Sequence, residues 1–518
     1  MQAERKPQLL ASVRWGVVLN VGQKLLSFGL NQALVRCTTP EVLGLAAVQL
    51  ELLLSSLTFL SREGIRLALL RETIATDAER QRFVNLSWIP VAALTVITTA
   101  LSCLAGYNHS YTSSVSLLYC LGAVLEAAGE PWVNLLQANG QIVPKMQAEA
   151  VAVFVKSVVT FVAVARFGWG VDAFGLAQIS YGFTYLLLLA SHTSTIVIQN
   201  KSLGFAQLLP GIPVDVGNDG DGSWLSARPV AFAFTATGSC ILKHILTEAD
   251  KIFLTLFRSN YDQGIFAVAN NYASLVVRIL FLPIEDSARV AFSKKLQPTA
   301  TEKGPHGHHQ LLLVQLLRLV GLIGLLFPLF GSSYVHLAVS FLLGVKWQGV
   351  EIERTLMAFC LYIFALSING VSEAYCQVLT SSADYYKVNI GLVVGFLVYS
   401  AVSFLLVVRV GTSGIVLAGT ASMLVRIASS YLIARANVAI PIMMDAFRPS
   451  TVQTLSVALG AVLCYLSSLR FVAAEEAGET RRGAIEHLLV GISTALFLLS
   501  LHWRQLERQL KTTFSLGG

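Results

Sequence analysis

The chain has 518 residues, of which 54% are hydrophobic and only 13% are charged, and its formal net charge is +7. Soluble domains carry about 25% charged residues, so this composition excludes a soluble globular protein and indicates one that crosses a membrane many times. The positive charge lies mostly in loops on one side of the expected spans, where it indicates orientation and gives no support to nucleic-acid binding.

Apolar windows that are long enough to cross a bilayer, which takes about 20 residues of helix, recur along the whole chain. The chain starts with the polar, basic stretch MQAERKPQLLASVR, and the apolar window after it is longer than the core of a signal peptide. We therefore expect a first span that is retained. The windows lie near residues 15–35, 42–60, 84–105, 115–138, 147–165, 173–198, 230–257, 264–288, 311–330, 355–379, 388–408, 414–434, 452–470 and 484–503.

These windows fall into sets of six, six and two, and a polar linker that contains Gly and Asp separates the first two sets. This order predicts an all-α polytopic membrane protein with about 14 transmembrane helices, in two pseudo-symmetric six-helix lobes plus two C-terminal helices. Residues 331–353 are too mixed to span, and we expect an interfacial helix there. The predicted boundaries are 1–198 for the N-terminal lobe, 199–228 for a cytosolic linker, 229–435 for the C-terminal lobe, and 436–518 for two additional spans and a cytosolic tail.

Lysines and arginines between the spans set the expected orientation. If the N-terminus is cytosolic, 21 of them lie in loops on its side and nine in loops on the other side. Cytosolic loops carry the excess of Lys and Arg, so both termini are predicted to be cytosolic. Of three N-x-S/T sequons, only the one at Asn108 then falls on the opposite side, in a short loop near the membrane.

The two sets of six windows resemble each other. GEPW at 129–132 and SEAY at 372–375 each end a span, and 38 residues separate Glu130 from Gly168 just as 38 separate Glu373 from Gly411. Each glycine falls between two spans. A six-span repeat predicts lobes of the same orientation, related by an axis along the membrane normal, with a cavity between them.

The hairpin at 238–295 contains many charged residues for a membrane segment. A charge near the centre of a bilayer costs roughly 3 kcal/mol even on the most lenient scale, so these side chains must face protein or water. Asn271, Arg278 and Glu285 recur every seven residues and so share one helix face. In the preceding helix, Glu248 lies within reach of both His244 and Lys251. We interpret this polar face as the wall of a solute pathway; the alternative is that the charges pair and lock two helices together.

Polar stripes also run along the first two spans. We assign both stripes, with those of the hairpin, to the inner walls of the two lobes, although polar seams between helices are a common alternative. The first stripe consists of Asn20, Lys24, Ser27 and Asn31, and the second of Glu51, Ser55, Thr58, Arg62 and Arg66.

The charges in these stripes predict the chemistry of the solute. Their cations outnumber Glu51, Glu248 and Glu285, and a cavity with net positive charge favours an anion. Arginine suits phosphate because its planar fork binds two oxygens. Glu130 and Glu373 are candidates for binding a proton or Na⁺, or for symmetry-related structural roles. The predicted substrate-binding cations are Lys24, Arg62, Arg66, Lys243, Lys251 and Arg278, and their polar or charged partners are Asn20, Asn31, Glu51, His244, Glu248, Asn271 and Glu285.

Motifs of catalytic and metal sites do not occur in the sequence. The seven cysteines show neither CxxC nor paired spacing, so we expect no disulfide framework, no metal site and no cofactor. P-loop, GxSxG and HExxH motifs are absent as well, and without a P-loop we expect no ATP hydrolysis. The sequence therefore predicts a protein that is not an enzyme.

Several long strings resemble the eukaryotic endoplasmic-reticulum oligosaccharide-lipid (dolichol-linked oligosaccharide) flippase family, within the multidrug/oligosaccharidyl-lipid/polysaccharide flippase superfamily. The resemblance covers most of the chain and is weakest in the linker and after about residue 470. The strings are REGIR at 62–66, GEPWVNLLQA at 129–138, KHILTEADK at 243–251, GIFAVANNYASLVVRILFLPIEDS at 264–287 and FCLYIFALSINGVSEAY at 359–375.

This resemblance implies the flippase-superfamily fold and a role in protein N-glycosylation at the endoplasmic reticulum. The implied substrate is dolichol pyrophosphate carrying two N-acetylglucosamines and five mannoses, moved from the cytosolic to the luminal leaflet by alternating access. The bilayer and the machinery of N-glycosylation are the expected partners. Two alternatives stay open: a non-transporting scaffold or lipid-binding protein that supports assembly of this lipid, and a cation-coupled drug exporter, which the excess of cavity cations disfavours.

Overall fold

A computed structural model describes residues 29–72, 74, 76–107, 111–138, 143–199, 209–213, 223–296, 308–380, 386–434, 451–476 and 479–514. Every regular element within these ranges is a helix. Eleven of the described helices are long and apolar enough to cross a membrane. The prediction of an all-α polytopic membrane protein is therefore confirmed, whereas the count of fourteen spans stays a prediction, as most of the first window lies outside the described ranges.

The chain divides into two compact units, Met1–Thr255 and Leu256–Gly518. Most of α10, the first helix of the second predicted set, belongs to the first unit, and the predicted lobe boundaries stay a prediction. The helices of the first unit are α1 (29–37), α2 (Pro40–Gly44), α3 (Glu51–Leu69), α4 (Asp77–Ser87), α5 (Ile89–Tyr107), α6 (Tyr111–Ala127), α7 (Glu130–Ala138), α8 (Val143–Phe167), α9 (Asp172–Gln199) and α10 (Ala227–Phe257).

The regular elements of the second unit are also helices in the described ranges. Its helices are α11 (Asn260–Val276), α12 (Leu282–Leu296), α13 (His308–Leu326), α14 (Ser332–Ala338), α15 (Val350–Leu379), α16 (Tyr386–Val410), α17 (Thr412–Ala434), α18 (Thr451–Glu476) and α19 (Thr480–Phe514). Short π-helical turns join α2 to α3, α11 to α12 and α13 to α14 without a break in the helical path.

Two glycines mark the repeat in the backbone. Gly168, between α8 and α9, has φ +66°, and Gly411, between α16 and α17, has φ +79°. In the described part of the chain, Gly344 alone shares this left-handed conformation with them. Glycine adopts it without the steric cost that a Cβ brings, so each reverses the chain between two long helices. The predicted chain reversals at these positions are confirmed.

The predicted cytosolic linker is partly anchored to the first unit. Asn85 on α4 is fully buried. Its Nδ2 donates to the carbonyl oxygens of Gly211 at 2.8 Å and Trp224 at 3.0 Å. Its Oδ1 accepts from the backbone N–H of Gly211 at 3.0 Å. The described linker residues therefore pack against α4.

Residues 331–343 do not form the interfacial helix that was predicted from their mixed composition. They continue α13 through a π-helical turn into α14, as part of a candidate span at Leu312–Leu343. The prediction is wrong because the window combines the end of a candidate span with a short turn that follows it. His336 is polar but lies inside the span against carboxylates, whereas Lys346 and Trp347 follow the end of the span in a separate short 3-10 turn.

The window predicted at 115–138 consists of two helices, α6 and α7, with a break at Ala128–Gly129. Pro131 explains the break, because proline has no N–H to donate to the carbonyl four residues earlier and its ring clashes with that carbonyl. Gly129 instead donates to the carbonyl of Glu126 at 3.0 Å. In the second unit, α15 passes unbroken through the corresponding position at Glu373.

Candidate functional site

The break between α6 and α7 brings two carboxylates onto the arginines of α3. Arg62 Nη1 lies 2.7 Å from Glu126 Oε1 and 3.2 Å from Glu130 Oε1. Arg66 Nη2 donates to both oxygens of Glu130, at 2.8 and 3.0 Å. We call these four residues the first cluster. Charge-assisted hydrogen bonds of this cluster join α3 to the end of α6 and to the start of α7.

The two carboxylates of the first cluster are buried, and its two arginines are less so. Glu130 is 1% exposed and Glu126 is also buried, whereas Arg62 and Arg66 are half-buried. Arg66 Nε is buried without a hydrogen-bond partner in the described part of the chain. Among the described residues, Arg66 Nη1 forms its ion pair with Glu63, at 3.9 Å. Since a guanidinium carries five N–H donors, this arginine keeps donors to spare for further acceptor oxygens.

Close packing of α9 against α6 buries Glu126. A Cβ on Gly182 would come within 2.7 Å of the Gly122 carbonyl oxygen and 3.1 Å of the Glu126 backbone nitrogen, so only glycine allows this approach. Tyr181 and Tyr185 of α9 stack with ring centroids 5.9 Å apart, close enough to the carboxylates to interact with them electrostatically. The acidic side of the cluster therefore has a wall of aromatic rings.

Glu51, a predicted cavity residue, lies within ion-pair distance of α8. Its Oε2 is 4.0 Å from Nζ of Lys156 on α8. The same Nζ is 5.9 Å from the ring centroid of Tyr181. Glu51 is thus neutralised by a cation of α8 that the sequence analysis did not assign to the site.

A second group of ionic side chains lies in the second unit. Arg289 Nη2 is 2.7 Å from Glu285 Oε1, and Arg426 Nη2 contacts Glu373 Oε2. Asn369 Nδ2 donates to Glu373 Oε2 at 3.1 Å. The second oxygen of Glu285 packs so closely against α15 that a Cβ on Gly370 would meet it at 2.7 Å. We call Glu285, Arg289, Asn369, Glu373 and Arg426 the second cluster.

The two clusters occupy corresponding positions in the repeat. The alignment that matches Glu130 with Glu373 also matches Glu126 with Asn369, four residues earlier in each half. Asn369 is 3% exposed, and its Oδ1 has no hydrogen-bond partner within the described residues. The first half therefore places two carboxylates one turn apart, where the second half has one carboxylate and one amide.

Three predicted residues of α10 make local contacts. His244 is buried, with Nε2 2.9 Å from Ser56 Oγ and its ring stacked on Phe59. Glu248 and Lys251 form the predicted contact, at 2.9 Å. Lys243 is exposed.

The predicted stripe of Asn271, Arg278 and Glu285 is interrupted. A π-helical turn at Val277–Phe281 separates the first of these residues from the last. Such a turn holds more residues than an α-helical one and shifts the register. Arg278 is consequently exposed, whereas Asn271 and Glu285 are half-buried. The π-helical turn could not be seen in the seven-residue spacing.

The six predicted cations are not gathered in one place in the described part of the chain. Arg62 and Arg66 share the first cluster, whereas Lys243, Lys251 and Arg278 belong to neither cluster. Asn31 is exposed on α1, and Asn20 and Lys24 lie outside the described residues. Asn108, the predicted luminal sequon, also lies outside them.

Sequence reasoning missed four residues of the two clusters: Glu126, Arg289, Asn369 and Arg426. Glu126 had a usable signal, since it lies one turn before Glu130 in an apolar window. The same spacing before Glu373 would then have indicated Asn369. Arg426 had no such signal, because its partner lies on another helix and becomes visible only in the packed unit.

A family model described as Rft-1, the Rft protein family, matches residues 8–515 of the chain. The chain belongs to the Rft protein family. A relative from Yarrowia lipolytica, "Man(5)GlcNAc(2)-PP-dolichol translocation protein RFT1", is 30% identical over 481 residues, which cover 82% of this chain and 70% of the relative. The proteins of the same name from Xenopus tropicalis and Mus musculus are 28% and 29% identical, with 81% and 80% of this chain covered and 80% of each relative.

Solved structures show that this Rft family chain has the fold of the flippase superfamily. It is similar to the lipid II flippase MurJ in an inward closed conformation, with a TM-score of 0.56 and 13% identity over 95% of this chain and 99% of that one. It is also similar to an inward-facing multidrug resistance MATE family transporter of the MOP superfamily, with a TM-score of 0.54 and 12% identity over 82% of this chain and 96% of that one. The predicted fold is confirmed.

Proposed function

We propose that this protein moves dolichol-pyrophosphate-linked oligosaccharide, with five mannoses and two N-acetylglucosamines, from the cytosolic to the luminal leaflet of the endoplasmic reticulum for protein N-glycosylation. Its relatives are named as translocation proteins for this lipid. The protein acts as a transporter and not as an enzyme, it needs no cofactor, and both of its termini are cytosolic. The machinery of N-glycosylation receives the translocated lipid.

The observation that supports this proposal best is the pair of arginines in the first cluster. A pyrophosphate presents several acceptor oxygens, and an arginine fork binds two of them at once. Within the described residues, Arg66 has a buried Nε without a hydrogen-bond partner, and its Nη1 lies 3.9 Å from the carboxylate of Glu63. The headgroup would be held by these donors, while the polyprenyl chain stays in the surrounding lipid.

The alternative is a scaffold or lipid-binding protein that supports assembly of the dolichol-linked oligosaccharide without moving it. Stable ion pairs favour this function, and each cluster contains ion pairs between different helices. A transporter requires that Arg62 and Arg66 exchange Glu126 and Glu130 for the phosphate groups. A scaffold keeps these pairs throughout.

Purified protein in lipid vesicles separates the two functions. We expect wild type to bind the pyrophosphate glycolipid and to move it between leaflets. Charge-assisted hydrogen bonds contribute about 1.5–3 kcal/mol each, so Arg66→Ala should weaken binding about tenfold or more. Arg66→Lys keeps the charge but loses the fork, and an intermediate loss is expected.

Arg80→Ala is the matched control, because Arg80 pairs with Asp77 on the surface of α4 and belongs to neither cluster. This variant should behave as wild type. Binding without translocation by wild type would favour the scaffold. If wild type binds no glycolipid, or if Arg66→Ala binds as tightly as wild type, the first cluster is not the headgroup site.

A further inference from the structure

Within the part of the chain that the structure describes, the carboxylates of the first cluster accept side-chain hydrogen bonds from arginine alone. All side-chain hydrogen bonds of Glu126 and Glu130 within the described residues come from Arg62 and Arg66. Glu130 is 1% exposed. Removing a cation from a buried pair leaves an uncompensated charge, which is among the most unfavourable changes in a protein interior. A phosphate that takes over the two arginines would create this situation.

Other charged groups near the two carboxylates cannot replace the arginines. Of the groups that face them, α3 contributes Glu63, and α9 contributes the hydroxyls of Tyr181 and Tyr185. From α8 come Lys145 and Glu149, of which Glu149 is exposed. Lys145 is therefore the one other cation among these groups, and the negative charges of Glu63 and Glu149 offset its positive charge.

We infer that capture of an anionic headgroup by Arg62 and Arg66 is coupled to uptake of a proton by the Glu126–Glu130 pair, at Glu130. This inference rests on the proposed function. In the exchange, the arginine–carboxylate pair opens, the guanidinium binds the phosphate oxygens, and a proton from water binds the released carboxylate. Glu130 is then a neutral acid, so no unpaired charge stays buried at this position, and the like charges of Glu126 and Glu130 no longer repel.

Glu130 is the proton acceptor because it loses more than Glu126 when the arginines leave. It accepts from Arg62 and twice from Arg66, whereas Glu126 accepts once from Arg62. The second unit has no equivalent carboxylate pair: Asn369 stands in the place of Glu126 and donates to Glu373. An amide neither repels Glu373 nor takes up a proton there, so this position of the second half has no second carboxylate one turn away that could share a proton.

Isothermal calorimetry on the full-length protein in detergent tests the coupling. The probe is dolichyl pyrophosphate that carries N-acetylglucosamine. This diester is chosen because a terminal phosphate has its own second pKa near 6 and would obscure the proton count. Heats measured in two buffers of different ionisation enthalpy give the number of protons taken up on binding. For wild type we expect close to one proton, and binding that strengthens up to tenfold per unit of falling pH.

Two variants locate the proton. Glu130→Gln should bind the probe at least as tightly as wild type, with proton uptake and pH dependence lost. Glu126→Asn copies the arrangement of the second unit and should reduce uptake while keeping the fold, as checked by thermal unfolding. Glu149→Gln removes an exposed carboxylate of α8 and should keep the wild-type proton count.

The outcomes distinguish this inference from the proposed function. If wild type binds the probe without proton uptake, the coupling is wrong and the proposed headgroup site stands. If proton uptake persists in Glu130→Gln, Glu130 is not the acceptor. If wild type does not bind the probe at any pH, the proposed function itself fails.

Discussion

Arg426 and Glu373 lie on different helices of the second unit, and each is largely removed from water. Besides Arg426, the carboxylate accepts from Asn369 and from Gln377, both at 3.1 Å. The guanidinium has fewer partners: Nη1 faces the sulfur of Met423 at 3.8 Å, and Nε has none within the described residues. The carboxylate is therefore well satisfied and the arginine poorly. Removing Arg426 and removing Glu373 should consequently change the free energy of unfolding by different amounts.

Arg426→Met should destabilise the protein, because it leaves Glu373 charged and without its cation. Breaking a buried pair in this way costs about 3–5 kcal/mol. The double variant Arg426→Met/Glu373→Gln removes both charges while the new amide can still bond to Asn369 and Gln377, and most of the stability should return. Thermal unfolding in detergent measures both. Equal losses in the single and the double variant would show that the pair is not what stabilises this region.

At the residue scale, the sequence predicted types of side chain better than partners. Arg62, Arg66 and Glu130 were each identified from spacing, and the structure joins them. Glu126 and Glu130 neutralise the two arginines, so these arginines carry no surplus of positive charge. The sequence analysis expected a surplus because it did not count Glu126. Hydrogen bonds between helices depend on helix rotation and on breaks such as the one that Pro131 causes, and helical periodicity specifies neither.

Among the elements, α14 connects the C-terminal helices to the rest of the second unit. His336 Nδ1 lies 2.6 Å from Glu353 Oε1 on α15, and Nε2 lies 2.7 Å from Glu475 Oε2 on α18. A neutral imidazole has only one N–H, so the ring donates to both carboxylates only as an imidazolium. The neighbouring Tyr334 stacks on His487 of α19, with ring centroids 4.1 Å apart. One short helix thus holds both C-terminal helices.

Glu475→Ala should loosen α18 from this contact, because it removes one of the two carboxylates that clamp the ring. We expect faster amide hydrogen exchange in α18 and little change in α15, since local opening follows the loss of local contacts. Glu479→Ala is the control: Glu479 is exposed and its contact with Arg482, at 3.8 Å, lies on the surface. Unchanged exchange in α18 of Glu475→Ala would mean that apolar packing alone holds this helix.

At the element scale, the helices themselves were predictable because apolar runs of span length have few alternatives in a membrane. The errors came where one run changed its geometry. The break at Ala128–Gly129, the π-helical turn at Val277–Phe281 and the continuation of α13 into α14 each alter the side-chain register. None of these changes the average composition of its window.

For the whole molecule, the distribution of basic residues carries the proposed orientation, with 21 lysines and arginines assigned to one side of the predicted windows and nine to the other. Loop charges set orientation because positively charged loops are retained in the cytosol. Epitope tags at the two termini should both be reached by antibodies in cells whose plasma membrane alone is permeabilised. A terminus that is reached only after the internal membranes are opened would contradict this orientation.

The fold of the whole molecule followed from counting apolar windows and noticing the repeat. Glu130 and Gly168 against Glu373 and Gly411 were enough to indicate two similar halves. The repeat could not indicate where the halves differ, because it was recognised from the positions that both halves share. The carboxylate pair of the first half is one such difference, since Asn369 replaces its second member.

The glycines at 168 and 411 bear on the ancestry of the chain. Two long helical hairpins with the same left-handed hinge residue, 38 residues after a glutamate in each half, are what the duplication of one ancestral unit leaves behind. The hinge is present in both halves, whereas the first half has a proline break and the second a continuous helix. The halves have therefore specialised, and a chain built from two copies of either half would keep the hairpins but lose one of the two ionic clusters.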